Sequence, residues 1–100
     1  MTDVLRVAIS RSRSEVARLV LERIAWRGYI PPEAGDAEEV VWHLPADQVD
    51  LIRSVLRRNR RLAGDAPADR SAIDDVCDSI AAESHRTGIR PDYGPNTFGA

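Results

Sequence analysis

The densest concentration of chemistry in this chain is RSVLRRNRRL, Arg53 to Leu62, which holds five guanidinium groups in ten residues. At helical spacing Arg53, Arg57, Arg60 and Arg61 fall on one broad face. A guanidinium is a planar fork of donors that grips a carboxylate or a phosphate through two parallel bonds. The stretch is therefore a candidate contact for an acidic protein surface or a nucleic-acid backbone. A plainer role competes: arginines near a helix C-terminus are favoured by the helix dipole and can stay solvated. They can also pair with the acidic residues that follow in the chain. No aromatic residue interleaves with them, as stacking on bases would require.

A second stretch, SRSRSE (Ser10 to Glu15), places Arg11 and Arg13 where a strand gives way to a helix. The unpaired N–H groups of a helix start attract anions, so both arginines are candidates for an anion or interface contact. A phosphate cradle usually needs glycine for close backbone approach, and this stretch has none. The spacing also predicts a capping box, Ser12 with Glu15 three residues on, or a cap by Ser14.

Catalytic and metal-binding patterns are weak. Cys77 stands alone, so it has no disulfide partner and no thiolate cluster to join. It falls on the apolar stripe of a predicted helix, where it reads as a small hydrophobe. His43 sits beside Trp42 on a predicted strand, and His85 lies near a helix end. Asp74 and Asp78 are one turn apart, but no further ligand joins them at metal-binding spacing. No catalytic, cofactor or metal set is expected, and an enzyme is not expected.

These side chains are carried by a chain of 100 residues, a one-domain length. Hydrophobic residues make up 43% and charged residues 30%, the balance of an ordinary globular domain. Apolar runs are short and the N-terminus MTDVLR has no apolar leader, which gives the expectation of a cytoplasmic protein without a membrane span. All 14 cations are Arg and none is Lys, as a GC-rich, bacterial genome would produce. The net charge of −2 is arranged in blocks. Residues 1–30 carry six Arg against three acids, and residues 31–50 carry six acids and no Arg. Residues 51–62 carry five Arg and no acid, and residues 63–83 six acids against one Arg. Alternating blocks favour packing of the chain on itself or on a charged partner over dedicated polyanion binding.

Val4 to Ile9 alternates, with Leu5, Val7 and Ile9 on one side and Arg6 and Ala8 on the other, which predicts a half-buried strand. Val16, Leu19, Val20 and Ile24 predict an amphipathic helix over about residues 13–27. Gly28 is expected to cap it, and Pro31 and Pro32 forbid its continuation. VVWHL (Val40 to Leu44) predicts a second strand, with Val40, Trp42 and Leu44 on one face. Pro45 then suits the first turn of a helix whose stripe is Val49, Ile52, Val55 and Leu56, running to about Leu62. Ile73, Val76, Cys77 and Ile80 predict a third helix ending near Gly88, with Ser71 and Asp74 resembling a capping box. Residues 1–88 are expected to form one domain and residues 89–100 an irregular, mobile tail. Tyr93 and Phe98 in that tail are candidate anchors for another subunit. Trp26, Tyr29 and Trp42 are a possible interface cluster, or core residues.

The order strand, helix, strand, helix, helix predicts an α+β fold. Two strands joined by a helix are expected to lie parallel with a right-handed crossover. A two-stranded sheet is too small to stand well alone. Completion by a second copy of the chain is therefore expected, giving a homodimer or higher oligomer.

The segment EVVWHLPADQVDLIRSVLRRN…DRSAIDDVCDSIAAE, Glu39 to Glu83, is similar to the ribbon-helix-helix family of DNA-binding regulators. There a short strand ending in Leu-Pro leads into one helix, and a Ser-capped helix follows. The resemblance implies dimerisation through the strand and major-groove reading by the outward residues, here Glu39, Val41 and His43. An acidic Glu39 departs from the basic set that such reading uses.

The leading expectation is a non-enzymatic protein–protein interaction module that self-associates, acting as an adaptor, regulator or accessory subunit. The alternative is a ribbon-helix-helix-like transcriptional regulator over residues 39–83, with nucleic acid the less favoured partner.

Overall fold

Strand β1, Val4–Ser10, runs without a break into helix α1, Arg11–Arg23. A long irregular return, residues 24–38, leads to strand β2, Glu39–Pro45. A 3-10 turn at Ala46–Gln48 opens helix α2, Val49–Arg58, and a second at Arg60–Ala63 precedes helix α3, Pro67–Thr87. The computed structural model describes residues 3–88; Tyr93 and Phe98 lie outside the described residues. The fold is α+β, a two-stranded antiparallel sheet with three helices.

The strands pair antiparallel, from Val4 opposite Pro45 to Ser10 opposite Glu39, and the expected parallel crossover is corrected. The reason is the return. Helix α1 has 13 residues and carries the chain about 20 Å away from the end of β1. Residues 24–38 then retrace that distance. Glu38 ends up beside the start of α1, where its carbonyl accepts from the Arg11 N–H at 2.8 Å. Strand β2 therefore starts where β1 finished and must run the opposite way. A parallel partner would have needed only a short link from the far end of α1.

Both strands alternate as their period-2 patterns predict. Leu5, Val7, Ile9, Val40, Trp42 and Leu44 face inward and are buried. Opposite pairs join Leu5 to Leu44, Val7 to Trp42 and Ile9 to Val40. The helices cover this face, with Val49, Ile52 and Leu56 from α2 and Ile73, Val76, Cys77 and Ile80 from α3 completing the core. The other face of the sheet is open to solvent.

Helix α1 differs from its expected stripe. Its buried positions are Ser14, Ala17, Val20 and Leu21, while Val16 and Ile24 are only partly buried. The small Ser14 lets α1 approach the bulky Trp42, and the indole Nε1 donates to Ser14 Oγ at 3.0 Å. Burial of an indole N–H requires such an acceptor. Ser12 and Ser14 are thus not caps. The flanking residue is Ser10, with no side-chain cap bond, and the Arg11 N–H is satisfied by Glu38 instead.

The end of α1 is also corrected. The Trp26 N–H bonds to Leu21 O at 2.9 Å and the Ala25 N–H to Glu22 O at 3.0 Å, the two bonds of a Schellman motif. The left-handed residue is Ala25, with φ of 55°, not Gly28. Gly28 is needed for a different reason: a β-carbon there would fall on the Trp26 indole and 2.7 Å from Gln48 Oε1. Two further boundaries move. Pro45 closes β2 rather than entering a helix. Helix α3 starts at Pro67, four residues before Ser71, because proline suits a first helical turn. It ends at Gly88, as expected, in left-handed geometry.

Candidate interaction surfaces

The arginines of α2 face α3. Helix α2 puts its apolar stripe on the core, which leaves Arg53 and Arg57 at the border of the buried face. Arg60, on the following 3-10 turn, points the same way. On the facing side α3 buries Ile73, Val76, Cys77 and Ile80, and so must present Asp74 and Asp78 at its own border. Arg60 Nη2 meets Asp74 Oδ2 at 2.6 Å, and Arg57 Nη2 meets Asp78 Oδ1 at 3.9 Å. Arg53 Nη1 lies 3.3 Å from Asp50 Oδ1 on its own helix. An open groove of about 1110 Å³ runs between these residues. Its arginines are Arg53, Arg57, Arg58 and Arg60 and its acids Asp50, Asp74 and Asp78. Most of its positive charge is thereby offset inside the chain. Arg58 and Arg61 are exposed and have no ion-pair partner among the described residues. Of the four candidates Arg53, Arg57, Arg60 and Arg61, three are engaged by carboxylates and one is not. Arg58 was not singled out by the sequence pattern, because its helical position departs from the face the other four share.

Arg11 and Arg13 do not converge. Arg13 Nη2 lies 3.3 Å from Asp75 Oδ2, tying α1 to α3. Arg11 Nη1 reaches Gly35 O at 3.4 Å on the return. Each therefore braces the fold.

The groups that could do chemistry are dispersed. Cys77 is buried, its Sγ 3.7 Å from Arg53 O. Burial pushes its thiol up, against the pull of Arg57 and Arg53, so it is held in the unreactive thiol form. His43 and His85 are exposed and lie on different elements. Among the described residues no group of three or more His, Cys, Asp or Glu is placed to hold a metal ion.

The aromatic cluster does assemble. Tyr29 and Trp42 have ring centroids 6.4 Å apart, tilted by 52°. The Tyr29 carbonyl accepts from Trp26 Nε1 at 3.1 Å, and the Tyr29 N–H donates to Gln48 Oε1 at 2.7 Å. Trp42 is fully buried and Trp26 partly so, which puts the cluster in the core and its margin. Burial raises the phenol of Tyr29 above its ordinary value, partly offset by the hydrogen bond it accepts from the His43 N–H at 2.9 Å.

That last bond shows how the two sheet edges differ. The ladder continues past the strands, with the Ala46 N–H bonded to Asp3 O and the Arg11 N–H to Glu38 O. The alternation of antiparallel pairing then turns the main-chain groups of Leu5, Val7 and Ile9 toward β2. Those of Val4, Arg6 and Ala8 point the other way, to the outer edge of β1. No third strand meets them among the described residues. On β2 the outward groups belong to Glu39, Val41 and His43. Tyr29 Oη takes the His43 N–H, and Pro45 has no N–H to offer. The outer edge of β2 is thus obstructed by the return, whereas among the described residues no strand covers that of β1.

The outward side chains that the ribbon-helix-helix resemblance would assign to base reading, Glu39, Val41 and His43, are all exposed. They share the open sheet face with Val4, Arg6 and Ala8.

No family model, no curated protein and no solved structure matches this chain. Among the described residues no helix is long and apolar enough to cross a membrane.

Proposed function

We propose that this chain is a non-enzymatic protein–protein interaction module that self-associates, serving as an adaptor, regulator or accessory subunit. One observation carries the reading: the sheet has two strands, and the main-chain groups on the outer edge of β1 have no partner strand among the described residues. Two strands make a marginal sheet, and an exposed edge is a template for another strand. The dispersal of His43, His85 and Cys77 supports a binding role over catalysis. The carboxylates set against Arg53, Arg57 and Arg60 support a protein partner over nucleic acid, because duplex binding draws on arginines free to neutralise phosphates.

Size-exclusion chromatography with light scattering at micromolar concentration tests self-association. Twice the chain mass of 11.1 kDa, or a higher multiple, is expected. A monomer across that range would overturn the reading. Titration with duplex DNA at two salt concentrations separates the alternative: steeply salt-dependent binding would favour the ribbon-helix-helix regulator.

A further inference from the structure

In β1, VLRVAIS, exposed and buried positions alternate almost symmetrically about Val7. Leu5 and Ile9 flank it as inward-facing apolar residues of similar size, and Arg6 and Ala8 flank it as outward-facing ones. We infer that β1 pairs antiparallel with β1 of a second copy, centred on Val7 opposite Val7, to form one four-stranded sheet in the order β2, β1, β1, β2. This rests on the self-association reading and adds the edge, the partner and the register.

Three physical arguments select this arrangement. The first is availability. The edge of β1 offers the N–H and C=O groups of Val4, Arg6 and Ala8 and the N–H of Ser10, whose C=O opens helix α1, whereas the edge of β2 is interrupted by Tyr29 at His43 and by Pro45. Edge strands that avoid such pairing carry proline, charged side chains or a bulge. Strand β1 has no proline and an unbroken register, and its one charge, Arg6, lies on the exposed face.

The second is register. Only residues whose main-chain groups point outward can form hydrogen-bonded pairs, so Val4, Arg6, Ala8 and Ser10 must pair among themselves. Three two-fold registers pair more than half of the strand. Centring on Arg6 sets Arg6 directly opposite its own mate, and like charges opposite each other are destabilising. Centring on Ala8 leaves Val4 and Leu5 unpaired. Centring on Val7 pairs Arg6 with Ala8 and Val4 with Ser10, uses all seven residues, and supplies about six hydrogen bonds, two from each Arg6–Ala8 pair and one from each Val4–Ser10 pair.

The third is continuity of the core. In this register Leu5 lies opposite Ile9 of the second copy and Val7 opposite Val7. The buried row thus continues across the two-fold axis without a polar interruption. A one-residue slip would put inward side chains opposite outward ones, so the pattern specifies the pairing strongly.

Four variants and one exchange measurement decide it. Ala8→Pro removes an outward N–H from an edge, a place where proline is tolerated. It should keep the far-ultraviolet circular dichroism and cooperative unfolding of the wild type, yet sediment as a monomer. Val7→Cys, in a Cys77→Ala background, should cross-link to its own mate under mild oxidation, since directly opposed strand residues meet disulfide geometry. Leu5→Cys and Ile9→Cys should cross-link only when mixed. A dimeric wild type whose Ala8→Pro variant stays dimeric and whose Val7→Cys variant fails to cross-link would overturn this pairing and leave self-association through another surface. A monomeric wild type would overturn both. If that monomer also protects the Arg6 and Ala8 amides from hydrogen exchange, the β1 edge is already satisfied within a single chain.

Discussion

Trp42 and Ser14 meet across the boundary between sheet and helix, the indole Nε1 donating to the serine Oγ at 3.0 Å. Both are buried, Trp42 completely, so neither group has water to fall back on. Ser14→Ala leaves the indole N–H unpaired in the core. The expected loss is about 1–3 kcal/mol, the usual cost of an unsatisfied buried donor. Urea unfolding should show a lower midpoint at unchanged slope; an unmoved midpoint would mean that the bond contributes nothing.

Ala25 ends α1 in left-handed geometry at φ of 55°, a conformation that costs an L-residue about 1–2 kcal/mol. Glycine adopts it freely but loses more entropy on folding, about 0.5–1 kcal/mol relative to alanine elsewhere. Ala25→Gly should therefore stabilise the fold by about 0.5–1 kcal/mol, and Ala25→Val should destabilise it. A thermal midpoint that falls in the glycine variant contradicts this account of the helix end.

Tyr29→Phe keeps the ring beside Trp42 and removes the oxygen that accepts from His43. Stability should drop by about 0.5–1.5 kcal/mol, the net worth of one hydrogen bond. The more telling measurement is amide exchange. The His43 N–H should lose protection while the Trp42 N–H, which faces β1, keeps it. Equal loss at both positions would indicate general loosening instead.

Two acidic groups have raised pKa values in the folded chain, Tyr29 from 10.0 and Cys77 from 9.0, each chiefly through burial. Unfolding returns both to water, where they ionise at lower pH than in the fold. Their contribution is complete below the unfolded values and is lost as pH rises through the folded ones. Stability should therefore begin to fall above about pH 9. The decline should soften in Cys77→Ala and again in Tyr29→Phe, measured by urea midpoints from pH 8 to 11. Glu83 has the opposite sign. Its hydrogen bond to Arg86 lowers its pKa from 4.5, so its contribution is present above that value and lost in acid. Its exposure makes that contribution small.

Asp74 and Asp78 hold Arg60 and Arg57 at 2.6 and 3.9 Å. Exposed pairs of this kind contribute only about 0–1 kcal/mol to stability, so Asp74→Asn with Asp78→Asn should fold. It should also uncover a cationic groove, because Arg53, Arg57, Arg58 and Arg60 all line it. Retention on a heparin column should rise clearly above that of the wild type. Equal elution would show that these carboxylates do not mask the patch.

The strand faces were legible because alternation is a property of neighbouring residues. Leu5, Val7 and Ile9 face inward as their spacing demands, and so do Val40, Trp42 and Leu44. The stripe of α3 was legible for the same reason at period 3.6, down to Cys77 and the Gly88 end. Strand direction was not, because it depends on how far residues 24–38 travel back, and nothing in PPEAGDAEE encodes a distance. Ser14 and Ala17 were missed because hydrophobic patterns overlook small residues, and at Ser14 small size is what Trp42 requires. The helix start was misplaced because its first N–H is satisfied by the Glu38 carbonyl, a partner 27 positions along the chain from Arg11. The Arg57 and Arg60 pairings were legible as complementary blocks, though not as individual contacts. The open edge of β1 was foreshadowed only in outline, since choosing between edges depends on where Tyr29 falls.

The pairing of Val4 with Pro45 and of Ser10 with Glu39 means that no rung of the sheet joins residues close in sequence. During synthesis β1 emerges ahead of α1, the return and β2, and must wait for them before its inner row is covered. A nascent chain on a ribosome thus shows a neighbouring nascent chain the same unguarded strand twice over, with its side chains early and its backbone edge throughout. Non-local pairing of this kind is slow to form and aggregation-prone in the interval. For copies translated side by side on one message, the proposed β1 pairing would be available before either has finished folding.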